Sequence, residues 1–188
     1  ASDVYKRQVL SHGREPGYDP LAFVIEECHK RAIECHAWLV TFPVGSNRQV
    51  KKQGSSSVVA RHRSWCKQLS GEWFLDPGNP SVKDYLRALV GEVVSKYDVD
   101  GIHLDYVRYP DNAMRFPDTD SFRKWGSRSK SLLRWREDNI TGIVTAIYEE
   151  VKRLKPWVKV SSSPLGRYAS LEGFLSLIHI SEPTRHAQ

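Results

Sequence analysis

The sequence predicts an α/β protein built on a parallel sheet. Short apolar segments alternate with longer amphipathic ones, as strand–helix–strand crossovers require. The apolar segments run out into turns rich in Pro, Gly and Asp, and the strongest of them, 99–107, carries an acidic residue at its exit. In parallel α/β proteins that exit is where ligands usually sit.

The segment 11–19 is polar and reads as a surface loop. Asp19-Pro20 is a helix entry, with Asp19 as cap and Pro20 in the first turn. Leu21, Val24, Ile25 and Cys28 recur at helical spacing and predict a helix ending near 31–32. The apolar run 33–40 suits a parallel strand, with His36 and Trp38 on one face and pointing towards the same end. Residues 45–65 are basic and poorly periodic, which predicts a long loop with room for a short helix.

Glu72-Trp73-Phe74-Leu75 reads as the next strand, leaving through Asp76-Pro77-Gly78-Asn79-Pro80. A helix from about 81 follows, with Val82, Tyr85, Leu86, Leu89, Val90 and Val93 on its apolar face. The organising strand comes next. Val99, Ile102, Leu104 and Val107 supply its apolar content, and the period of two places His103 and Asp105 together. Pro110 ends it, because proline cannot donate to a sheet ladder.

Residues 111–130 form a polar and aromatic excursion that could wall a cleft. A long helix then carries Trp135, Ile140, Val144, Ile147, Tyr148, Val151 and Leu154 near one face, until Lys155-Pro156 stops it. The next strand and its exit loop span 157–164, with Ser163 and Pro164 shaping the exit.

The 188 residues could bury a normal core, and the net charge of +6 permits an anionic partner. The positive charge is dispersed among Asp and Glu, and no nucleic-acid-binding motif accompanies it. No apolar run is long enough to span a bilayer. Neither Gly-x-Gly-x-x-Gly nor Gly-Lys-Ser/Thr is present, and Cys28, Cys35 and Cys66 lack metal-type spacing, so no cofactor or metal is expected.

The order of His36-Ala37-Trp38, Leu75-Asp76-Pro77-Gly78, Asp100-Gly101-Ile102-His103-Leu104-Asp105-Tyr106-Val107-Arg108-Tyr109-Pro110, Trp135-Arg136 and Lys155-Pro156-Trp157 resembles the bacterial glycosyl-hydrolase-like family 10, also called the DUF187 family. The resemblance implies a (β/α)₈ TIM barrel, here a partial one holding roughly strands two to five, without the activity of the whole. It implies action on cell-envelope polysaccharide, with peptide-free peptidoglycan glycan strands as a substrate class, in a full-length parent at the periplasm or cell envelope. The ends, 1–8 and 176–188, resemble translated sequencing-adapter sequence, which leaves 9–175 as the expected domain.

Glycoside hydrolysis normally uses two carboxyl groups. Asp105 is the first candidate, as nucleophile or charge stabiliser, with Arg108 near enough in sequence to favour its ionised form. Asp76 is a second strand-exit candidate, although Asp-Pro-Gly is also a turn and a helix cap. His36 and His103 could bind sugar hydroxyls or hold Asp105, and Trp38 could stack on a pyranose ring. Tyr106, Arg108 and Tyr109 could bind hydroxyls or an acidic substituent. Trp135 and Arg136 are expected to buttress the fold, and Ser163 is a poor nucleophile without a partnered histidine. A catalytically silent carbohydrate-binding barrel and a basic nucleic-acid binder stay open as alternatives.

Overall fold

A computed structural model describes residues 17–110, 113–126 and 131–163. The ends at 1–8 and 176–188, with Asp111 and Pro164, lie outside the described residues.

Helix α1 (Pro20–His29) starts as its sequence requires: Asp19 accepts hydrogen bonds from the amides of Leu21 (3.1 Å) and Ala22 (3.2 Å). Strand β1 (His36–Val40) follows. The basic stretch after it is more ordered than a loop. It holds strand β2 (Pro43–Ser46), helix α2 (Asn47–Gln53) with a capping box between Ser46 and Gln49, and helix α3 (Val58–Arg61). Local hydrogen bonds build these elements with little apolar periodicity, so the pattern of hydrophobic residues does not reveal them.

Strands β3 (Cys66–Leu69) and β4 (Glu72–Leu75) form a hairpin, and β2, β4 and β3 make a separate antiparallel sheet. This corrects the expectation that 72–75 is a strand of the parallel sheet. Ser70 and Gly71 both have positive φ (51° and 84°), the conformation a tight two-residue hairpin turn demands. The turn closes the chain back onto β3 and not across a helix. Four apolar-rich residues beside a helix fit either reading on pattern alone.

Helix α4 (Pro80–Lys96) leads into β5 (Gly101–Asp105). The excursion carries helix α5 (Thr119–Trp125), and the long helix α6 (Leu132–Leu154) precedes β6 (Lys159–Ser162). The parallel sheet has the order β1-β5-β6, so β1 and β5 are direct neighbours. Their register pairs His36 with Gly101, Trp38 with His103 and Val40 with Asp105. On the other side of β5, His103 pairs with Ser161.

Helices α4 and α6 pack on each other, and Ile102 and Leu104 of β5 belong to the same buried cluster as Val82, Val90, Ile143 and Ile147. Burying each such side chain stabilises the fold by roughly 1.5–3 kcal/mol. The opposite sheet face is open, with Trp38 64% and Val40 55% exposed. Gly101 packs closely under His36: a Cβ there would meet Nδ1 at 2.5 Å and force that exposed ring to shift.

The excursion is fastened from below. Arg136 on α6 is buried and donates to Asp118 and to the Phe116 carbonyl. The Ser121 hydroxyl donates to the buried Asp76 carboxyl, and Lys67 of β3 pairs with Asp120. Trp135 and Arg136 therefore buttress the fold as expected from sequence.

Candidate functional site

The open face of the parallel sheet brings His103 and Asp105 of β5 beside Trp38 of β1 and Ser161 and Ser163 at β6. Asp105 is the last residue of its strand, where the ladder ends and the carboxyl can face outwards. The chain then turns sharply. Tyr106 has φ 50°, an uncommon left-handed conformation for a residue with a side chain. Its N–H donates to Asp105 Oδ1 at 2.8 Å. The Ser163 hydroxyl donates to the same oxygen at 2.7 Å.

Burial opposes ionisation of Asp105, but hydrogen bonds from Ser163, the Tyr106 amide and Trp38, with the charge of His103, together hold its carboxyl below the usual range. The direction agrees with the sequence expectation. The named causes are these neighbours, in place of the Arg108 that the sequence points to.

His103 Nδ1 shares a hydrogen bond with Ser161 Oγ at 2.9 Å, and its ring meets Trp38 edge-on at 5.7 Å. Beyond the strand end, Tyr106 is 46% exposed and its ring lies 5.0 Å from the Arg108 guanidinium. These two side chains line a groove of about 490 Å³ between the β5 exit and the antiparallel sheet, with Val40, Glu72 and Phe74 on its other walls. The site can thus offer an ionised carboxylate, an imidazole, an aromatic wall and a cation.

Three expected site residues do not present their side chains beside Asp105, although one of them, Tyr109, borders the groove of Tyr106 and Arg108. Tyr109 is fully buried, edge-on to Phe116 at 5.2 Å, and burial pushes its hydroxyl well above the tyrosine range. The alternation after the Tyr106 turn sends Val107 and Tyr109 inwards while Tyr106 stays exposed. Asp76 is also sealed from solvent. Burial raises its pKa, and its oxygens are taken by the Ser121 hydroxyl and the Gly78 amide (2.9 Å). It serves the turn into α4, the structural half of its sequence reading. His36 begins β1, so it stands at the opposite strand end from Asp105 and bonds Glu34 at 3.0 Å.

The serines were missed as partners. Ser161 and Ser163 have the same two-residue spacing as His103 and Asp105, and that spacing is their only sequence signal. Among the described residues, no group of three or more His, Cys, Asp or Glu could hold a metal ion, and no helix is long and apolar enough to cross a membrane.

The fold is an α/β scaffold with a carboxylate at the exit of its central parallel strand, and comparison with known proteins places it in a glycosyl-hydrolase-like class. The chain belongs to the family described as Glycosyl hydrolase-like 10, which it matches over residues 2–179. It is 35% identical over 164 residues to the glycosyl hydrolase DigH of Escherichia coli K12, covering 82% of this chain and 37% of that protein. It is also 35% identical over 158 residues to the glycosyl hydrolase YngK of Bacillus subtilis, covering 82% of this chain and 31% of that protein. The chain thus spans about a third of the length of these relatives. Among solved structures, α-L-fucosidase isoenzyme 2 from Paenibacillus thiaminolyticus aligns with TM-score 0.54 and 19% identity, over 86% of this chain and 26% of that one. The α-galactosidase AgaA A355E D478A from Geobacillus stearothermophilus, in complex with stachyose, aligns with TM-score 0.51 and 15% identity, over 86% and 21%. At these identities the likeness shows the fold: an α/β scaffold with TIM-barrel-type glycosidases as neighbours.

Proposed function

We propose that this chain is the part of a bacterial cell-envelope glycosidase that carries one catalytic carboxylate, Asp105, corresponding to roughly strands two to five of its barrel. The observation that carries the reading is Asp105 itself: a strand-exit carboxylate kept ionised by two hydrogen bonds to one oxygen, beside an exposed tryptophan. An ionised carboxylate suits attack on an anomeric carbon, or stabilisation of the positive charge that develops there, better than proton donation.

Trp38 offers a flat apolar surface to the C–H face of a pyranose. Tyr106 and Arg108 on the neighbouring groove supply a hydroxyl and a cation, which suits a glycan bearing carboxylates, as muramic-type sugars do. Peptidoglycan strands stripped of their peptides fit this chemistry, since the carboxylate is then uncovered. Hydrolysis of peptide-free strands by the full-length protein, with peptide-bearing strands and neutral glycans as comparison, tests the reading. Release of short glycans from the first substrate alone supports it; cleavage of neutral glycans alone removes it.

A further inference from the structure

The parallel sheet carries a second set of side chains that the proposed chemistry does not yet use. Ser161 and Ser163 stand two residues apart at β6, opposite His103 and Asp105, which are two residues apart on β5. Each serine reaches across to the residue it faces: Ser161 Oγ lies 2.9 Å from His103 Nδ1, and Ser163 Oγ lies 2.7 Å from Asp105 Oδ1. A parallel ladder fixes this matching, because a slip of one residue would turn both hydroxyls to the helical face.

We propose that Ser163 is a positioning residue for Asp105, holding Oδ1 together with the Tyr106 amide and so fixing the plane in which the carboxylate meets the substrate. The assignment rests on Asp105 being the reacting carboxylate, but its geometry does not. Both the Ser163 hydroxyl and the Tyr106 amide fall on Oδ1. Two donors on one oxygen set the plane of the carboxyl group, and they come from different segments, so neither alone defines it. Ser163 attacks nothing: its proton points at a carboxylate, and its role is to hold that carboxylate still and ionised.

The groups that face Asp105 decide what removal of the hydroxyl does. From β1 the open face presents Trp38 and Val40, neither of which titrates. From its own strand comes His103, and from β6 come Ser161 and Ser163. Arg108 lies beyond the strand end against Tyr106, and His36 and Lys159 stand at the far end of the strands with Glu34. Losing the Ser163 hydroxyl therefore removes a donor that favours the charged form, and no titrating group replaces it.

The test compares Ser163→Thr with Ser163→Val in the full-length protein; the two side chains share a shape and differ in the hydroxyl. The carboxyl titration of Asp105 is followed by ¹³C NMR with labelled aspartate, assigned through Asp105→Asn. The midpoint should rise by about one pH unit in S163V and stay near wild type in S163T. Equal midpoints in the two variants would overturn the proposal whether or not the protein cleaves glycan. In the hydrolysis assay, S163V should lower kcat about tenfold with KM little changed and move the acid limb of the pH profile upwards. If D105N abolishes hydrolysis and S163V matches S163T in kcat and pH profile, the positioning role fails while the role of Asp105 stands. If D105N leaves hydrolysis intact, the functional reading fails, and the NMR midpoints still judge the geometry.

Discussion

Arg136 and Asp118 meet in a two-pronged ion pair sealed from solvent: Nε donates to Oδ2 at 2.9 Å and Nη2 to Oδ1 at 2.5 Å. The pair joins helix α6 to the segment that follows the site-bearing strand. It lies beneath Tyr109, whose ring is 5.1 Å from the guanidinium. The excursion above the site thus rests on a buried charge pair.

Breaking that pair leaves a charge uncompensated in the interior. Arg136→Met should cost about 3–5 kcal/mol of unfolding free energy, read from the urea midpoint. The double variant Arg136→Met with Asp118→Leu should recover much of the loss. A single variant within 1 kcal/mol of wild type, on the order of a surface change, would show that the pair does not hold the excursion.

Asp100 acts as a staple at the start of β5. Its carboxylate accepts from the Cys35 amide at 2.7 Å and bonds His29 Nε2 at 2.9 Å. The Cys35 hydrogen bond foremost holds its pKa below the ordinary value. A depressed carboxylate stabilises the fold above its unfolded pKa of about 4 and loses that contribution as pH falls through the folded value. Asp100→Asn should therefore be less stable at neutral pH and show a shallower loss between about pH 5 and pH 2. Parallel acid-unfolding curves for the two proteins would contradict this.

Gly78 is pressed against the indole of the buried Trp135, which a Cβ would strike. Gly78→Ala should cost roughly 1–3 kcal/mol by overpacking. Pairing it with Trp135→Phe should cost less than the sum of the two single changes. Additive effects in thermal unfolding would place the indole elsewhere.

Trp38→Ala should raise KM for the glycan roughly tenfold, because it removes ring stacking, and should also move the Asp105 titration upwards, because it removes one of the donors to that carboxylate. An unchanged KM would return Trp38 to a packing role inside the barrel.

Much of this molecule is legible in its sequence, because the helices and the central strands carry strong periods. Asp19-Pro20 marks the first helix, and the alternation in 99–107 places His103 and Asp105 on one face. The antiparallel sheet is not legible. Its strands are four residues long; β4 is legible as a strand, but its antiparallel pairing shows only through the hairpin turn at Ser70 and Gly71. The site was half legible. Asp105 shows itself as an acid at a strand exit, but pairing across strands depends on register, which no local pattern encodes. Ser163 is a poor nucleophile on sequence grounds, and its contact with Asp105 shows only in the structure; Tyr109 is buried by the turn at Tyr106, which the sequence does not announce. Asp76 shows the limit of a strand-exit argument: the strand it leaves is not in the parallel sheet.

The most direct test of the central claim is the turnover of peptide-free peptidoglycan strands by the full-length protein and its Asp105→Asn variant, with equal folding checked by thermal unfolding. The carboxylate account predicts a fall in kcat of roughly a thousandfold or more, with the melting temperature nearly unchanged. Turnover by the variant at the wild-type rate would contradict it.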